Sequence, residues 1–290
     1  IPYVYDVQDI WPESGVWSGM VRSSLLVRLI HVLERFVYEK ADHLLVVTEG
    51  ARRNLIAKGV PAHKLSIASQ LSDEKLFGRP DAAKAGEIAS RFGFKGRFVV
   101  MFTGNVGLVQ GLDTMLAAAA LLQEGSPDVL FVLIGGGTDK DRLMAASRDM
   151  SLKNVLFIDH QPMEEIPNFL ANAGALLLPL KPSDISELAI PLKTFAYMAS
   201  GRPVLAALKG AAADLISRAG AGCVSDPKNP RSLADAVLRL KALTDDERAA
   251  MGVLGKSYLS AHHSMERVLD EHVAVLEKTC RPGRGSDEAY

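Results

Sequence analysis

Cysteine is scarce: Cys223 and Cys280 are the only two in 290 residues. Two cysteines cannot build a disulfide scaffold or a cysteine-based zinc site, and they fit a reducing compartment. Charge of one sign is lacking too. The 33 Lys and Arg nearly balance 34 Asp and Glu, for a formal net charge of −1. No global basic field attracts nucleic acid, so any polyanion site has to be local. No apolar run reaches the ~18 residues of a membrane-spanning helix. The sequence opens at Ile1, inside an apolar stretch and without a methionine. No basic segment leads into an apolar one there, so the expectation is no signal peptide and an incomplete first domain. No G-x-S-x-G elbow, Cys–His pair or His/Asp/Glu cluster of metal-ligand spacing stands out.

What is present is a globular composition, 48% hydrophobic and 23% charged. Short, almost wholly apolar runs alternate with helical patterns, which predicts parallel sheets covered on both faces. Strands are expected at residues 1–7, 43–47 and 65–68, then regularly from Phe98 onward. The pattern over Met20–Lys40 predicts an amphipathic helix, with Leu26, Leu29, Ile30, Leu33, Phe36 and Val37 on one side. Arg22, Arg28, Arg35 and Lys40 edge it. Two readings of it are open: a membrane-interface helix or a core helix with a solvated basic edge. The polar stretch 79–96 reads as a linker, and 281–290 as a disordered tail.

Ligands of such sheets bind at the carboxyl ends of the strands, so the strand-to-helix loops carry the chemistry. After Phe98–Thr103 comes GNVGLVQG, with Gly104, Gly107 and Gly111. Such glycines let backbone approach a phosphate; the alternative is a plain tight turn. The next loop, Gly135–Thr138, departs from the G-x-G-x-x-G dinucleotide fingerprint, which weighs against a nicotinamide dehydrogenase. A third loop leads through Glu187 to Pro191, where a helix is expected, placing Lys193 in its first turn. A cation there opposes the helix dipole unless an anion binds. Surface solvation is the other reading of Lys193 and Glu187. Asp9 and Glu13 in QDIWPES are weaker candidate acids beside Trp11, and His160 is a candidate for the cleft wall.

Four segments together carry a resemblance: DIWPES (9–14), KADHLLVVTEG (40–50), GNVGLVQGLDT (104–114) and IPLKTFAYMASGRPVLA (190–206). With LANAGALLLPL (170–180), they resemble family 4 glycosyltransferases of bacterial polysaccharide assembly. The branch most similar is that of the O-antigen and capsule N-acetylfucosaminyl transferases. The resemblance covers most of the chain but not the family's opening part.

It implies a GT-B fold: two Rossmann-like α/β domains, the first incomplete. Residues 1–78 would be the remainder of the acceptor-side domain, 79–96 a linker and 97–262 the nucleotide-sugar donor domain, with 263–280 a crossover helix. It implies retaining transfer of a sugar from a nucleoside diphosphate, UDP or another, without a metal. The acceptor would be a lipid-linked saccharide at the inner face of the plasma membrane. Gly104, Asn105, Gly107, Gln110 and Gly111 would cradle the diphosphate. Glu187 would hold sugar hydroxyls, Ile190, Pro191 and Leu192 would line the phosphate, and Lys193 would pair with it. The family carries a ribose-holding Glu where this chain has Ala196. That departure keeps two alternatives in view: a non-catalytic nucleotide-sugar binding or scaffold protein, and a UDP-sugar epimerase.

Overall fold

The computed structural model describes residues 1–71 and 74–280. The tail expectation for 281–290 lies outside the described residues. The chain divides into two compact units, one of residues 1–71 with the chain from His262 on, the other of residues 72–261.

The first unit is built on a parallel three-stranded sheet, β1 (Val4–Val7), β2 (His43–Val46) and β3 (Leu65–Ile67), in the order β1-β2-β3. Central β2 is buried throughout. Between β1 and β2 lie α1 (Glu13–Trp17) and α2 (Ser24–Lys40), and α3 (Glu49–Ala57) follows β2. The stretch expected as a loop after β1 thus contains a helical turn. The amphipathic helix starts at Ser24 rather than Met20, because the Ser23 side chain caps it by accepting from the Leu26 N–H. Tyr38 is its only buried residue, while Leu25, Leu29, Val32 and Phe36, one stripe of the helix, are each more than half exposed. Within this unit the stripe is not core. The C-terminal helix, Met265–Cys280, belongs here; its Glu271 accepts from the Ser69 N–H at 2.9 Å.

The second unit opens with α4 (Glu74–Phe77) and α5 (Ala82–Arg91). The expected linker at 79–96 is therefore mostly helix. Asp81 caps α5, Ala85 and Ala89 are buried, and the Asp81 N–H donates to Asn168 Oδ1 at 2.8 Å. The boundary falls at 71/72, not at 78.

A parallel six-stranded sheet follows, in the order β6-β5-β4-β7-β8-β9. Its strands are β4 (Phe98–Thr103), β5 (Val129–Ile134), β6 (Val155–Ile158), β7 (Ala175–Pro179), β8 (Val204–Ala207) and β9 (Gly222–Val224). Every residue of β4, β5, β7 and β8 is buried, which is why these runs carry no polar alternation. The helices are α6 (Asp113–Leu122), α7 (Lys140–Asp149), α8 (Ile166–Leu170), α9 (Lys193–Ala199), α10 (Ala211–Ala219), α11 (Pro230–Ala242) and α12 (Asp245–His262). Met115 and Leu116 of α6 and Leu233 and Val237 of α11 join Phe102, Phe131 and Leu205 in one core. The strand order reverses between β4 and β7, where such sheets open a ligand crevice.

Candidate nucleotide-sugar site

The site begins with two glycine loops zipped together. Gly104 takes φ +123° and Gly135 φ +143°. The Gly104 N–H donates to the Ile134 carbonyl at 2.9 Å, the Val106 N–H to Gly136 at 2.8 Å, and the Asp139 N–H to Val106 at 3.0 Å. A Cβ on Gly135 would overlap the Gly104 carbonyl oxygen, and one on Gly137 the Val106 carbonyl. The second loop thus misses the dinucleotide spacing because its glycines serve backbone packing against the first loop.

Charge holds the same corner. Arg142 donates to Asp139 at 2.6 Å and to both oxygens of Asp113, at 2.6 and 2.9 Å. The guanidinium keeps the Asp113 carboxyl below the usual range. This clamp joins the starts of α6 and α7. Its members are ordinary surface residues by sequence, and only the fold brings them together.

Beside the loops is a cavity of about 330 Å³. It runs from Thr103 and Gly104 past Gly135 to His160 and Gln161, with Lys193 and Ala196 of α9 on one wall. Lys193 Nζ lies 3.3 Å from Gln110 Oε1 and 4.1 Å from the centre of the Phe102 ring. A Cβ on Gly104 would sit 3.4 Å from that nitrogen. No carboxylate of the described residues forms an ion pair with it, and burial pushes its pKa down to about 8. Tyr197, on the inner side of α9, accepts from the Thr103 N–H at 2.8 Å and fixes the end of β4. Burial pushes the Tyr197 hydroxyl up to about 12.

Of the residues expected from sequence, Gly104, Leu192, Lys193 and Ala196 line this cavity, and Gln110 reaches it through Lys193. His160 also lines it. Gly111 (φ +65°) faces Lys181 instead, and Asn105 packs against Gly107 and Gly137. Ile190 and Pro191 precede α9 without lining the cavity. Glu187 sits in a turn with its main chain packed on Gly210 and its carbonyl accepting from the Ala211 N–H at 2.9 Å, and it does not line this cavity. The Glu13 carboxylate is paired with Lys58 at 2.8 Å, an ammonium shared with Glu34 at 2.7 Å. Asp9 is exposed on the first unit. Sequence reasoning missed Phe102, Gln161, Met163 and Ile166, apolar or neutral residues that no motif distinguishes. Among the described residues no three His, Cys, Asp or Glu side chains cluster as a metal site.

Residues 97–242 match the family model described as glycosyl transferases group 1, and residues 1–69 a glycosyl transferase 4-like domain. The chain is 26% identical over 278 residues to the probable glycosyltransferase WbjE of Pseudomonas aeruginosa, covering 94% of this chain and 68% of WbjE. It is 27% identical to an α-D-kanosaminyltransferase of Streptomyces kanamyceticus over 84% of this chain, spanning 62% of that protein. The Anabaena protein HepE, solved with UDP and glucose, superimposes with a TM-score of 0.78 at 17% identity, over 96% of this chain and 72% of HepE. That likeness establishes the fold, two parallel-sheet α/β units of the GT-B type.

Proposed function

Because this chain belongs to the group 1 glycosyl transferases, we propose that it moves a sugar from a nucleoside diphosphate donor, UDP foremost, to a saccharide acceptor. The observation that carries this is Lys193, a partly buried ammonium that no acid among the described residues pairs, set against a glycine loop. Free, it is poorly compensated; a diphosphate beside it supplies the missing anion. In transfer the bond from the anomeric carbon to the phosphate oxygen breaks, and negative charge grows on the departing diphosphate. Lys193 stabilises that charge in the transition state. We take the reaction to be retaining and to need no metal, with Lys193 carrying the leaving-group charge. HepE bound to UDP supports UDP as the nucleotide.

We further infer a lipid-linked acceptor of cell-surface polysaccharide assembly, met at the inner face of the plasma membrane. The outward apolar stripe of α2, with Arg22 and Arg28 beside it, supports that placement. No helix among the described residues is long and apolar enough to cross a membrane.

Calorimetry of UDP binding to the full chain and to Lys193→Met tests the donor assignment. The expected loss is ~10- to 150-fold, the worth of one hydrogen bond to a charged group. Equal affinity in both overturns it. Labelled UDP-sugars then separate transfer, which needs an acceptor, from epimerisation, which does not.

A further inference from the structure

The inward side of α2 is polar. His31, Glu34 and Tyr38, spaced by three and four residues, lie opposite the outward apolar stripe of the same helix. Against them, wholly within the first unit, is a cavity of about 570 Å³ that runs from Glu13 of α1 to Gly59, Val60 and Pro61 beyond the end of α3. Small-molecule sites have this size, ~300–1,000 Å³. Gly59 takes φ +96°, and a Cβ there would meet nothing within 4 Å.

Charge of both signs lines the cavity in equal number: Glu13, Glu34 and Glu39 against Arg35, Lys58 and Lys64. Lys58 fixes the floor, donating to Glu13 at 2.9 Å and to Glu34 at 2.7 Å. Tyr38 donates to Glu34 as well. Burial, and then the Glu34 carboxylate, push its hydroxyl well above the usual range of a phenol. The rim keeps capacity to spare. Among the described residues Arg35 donates only from Nε, to Glu39 at 2.9 Å, and Lys64 only to the main-chain carbonyls of Glu39 and Ala41. A guanidinium has five N–H donors and a carboxylate about four acceptor sites.

An anion in this cavity would meet three carboxylates, and a cation three basic side chains. A neutral ligand whose hydroxyls both donate and accept suits all six. Val60 and Pro61 add an apolar patch. A sugar ring answers both demands, with hydroxyls at its edge and C–H groups on its faces. We propose that this cavity binds an uncharged saccharide, in a site separate from the donor cavity. Its chemistry stands without the donor reading; its use, to hold sugar units of the acceptor that do not react, rests on that reading.

The test is an array printed with neutral, amino and uronic-acid oligosaccharides, probed with the full chain, followed by calorimetry of the glycans retained. Neutral glycans are expected to bind, and their charged counterparts at least ~10-fold more weakly. Arg35 and Glu39 stand at the rim with side chains 81% and 60% exposed, so both variants below are expected to keep the wild-type Tm. Glu39→Lys leaves an excess of positive charge and is expected to shift the preference at least ~10-fold towards uronic-acid glycans. Arg35→Glu leaves the opposite excess and shifts it towards amino glycans. A wild type that retains no neutral glycan, or that prefers charged ones, overturns the proposal. An unchanged preference in both folded variants overturns it too, because the glycans then bind elsewhere. UDP calorimetry on the same protein keeps the two readings apart: UDP bound without glycan leaves only the donor reading standing, and glycan bound without UDP leaves only this one.

Discussion

The ammonium of Lys193 lies 4.1 Å from the centre of the Phe102 ring, on the last turn of buried strand before the Gly104 loop. Among the described residues its partners are the ring face and the side-chain oxygen of Gln110. Cation–π contact of this kind returns ~0.5–2 kcal/mol. Lowering a lysine from its ordinary 10.5 to about 8 costs roughly 3 kcal/mol. The balance is unfavourable in the free protein. Lys193→Met, similar in length and uncharged, is therefore expected to stabilise the ligand-free protein by ~1–2 kcal/mol. It is also expected to reduce the rise in Tm that UDP gives the wild type. Thermal melts of both proteins with and without UDP check this; a variant that melts lower, or that responds to UDP as the wild type does, contradicts it.

The same residue sets a pH dependence. Its folded pKa, about 8, lies below the unfolded value. Below pH 8 both states carry the proton, and the burial cost is present in full. As pH rises from about 8 towards 10.5 the folded state loses the proton first, and this group's contribution to stability improves. Binding runs the other way, because the diphosphate needs the charged form. UDP affinity is expected to be flat below pH 8 and to fall above it, by up to ~10-fold per pH unit, with proton uptake on binding. Calorimetry at pH 7, 8 and 9 in buffers of different ionisation enthalpy measures both. A matching fall in Lys193→Met would assign the effect to another group.

These consequences rest on a site only partly legible in the sequence. Lys193 and Gly104 were readable because helix starts and glycine loops leave local signals. The buried strands were readable because a doubly covered sheet has no polar alternation. Phe102 was not, since β4 is equally apolar from Phe98 to Phe102 and only the fold selects the one facing Lys193. The packing of the Glu187 main chain on Gly210 was not legible either, a contact the local sequence does not announce. The supposed linker hid a helix for a similar reason. Asp81 and the pair Ala85 and Ala89 were local cues, but its docking depends on Asn168 and Asn172 from far along the chain.

Gly135 gives a structural prediction. Its φ of +143° is open mainly to glycine, and the Gly104 carbonyl occupies the space a Cβ would take. Neither partner can yield, because both loops are held by main-chain hydrogen bonds at strand ends. Gly135→Ala is expected to destabilise the protein by ~2–4 kcal/mol and to weaken UDP binding by moving the Gly104 loop. Gly136→Ala, where a Cβ meets nothing within 4 Å, is the matched control and is expected to change little. Urea unfolding of the two variants decides it; equal midpoints would show that the loops are not packed as described.

The last prediction concerns α2. A helix that packed its stripe on its own sheet would bury Leu25, Leu29, Val32 and Phe36, yet these are 76%, 64%, 67% and 56% exposed. Arg22 and Arg28 are exposed on the same helix region, and Lys40 leans over Phe36 at 5.8 Å. Apolar side chains beside basic ones suit an anionic lipid surface, where each basic residue adds attraction that salt screens. The chain is expected to float with vesicles rich in anionic lipid, less so as salt rises, and hardly at all with neutral vesicles. Reversing Arg22 and Arg28 to Glu should lower partitioning at least ~10-fold, and Leu29→Ser with Phe36→Ser should remove the part that salt does not screen. Since these residues are exposed, all variants are expected to keep the wild-type circular dichroism and Tm. Flotation that is equal for wild type and the charge-reversed chain, or absent from both, would mean that α2 meets something other than a membrane.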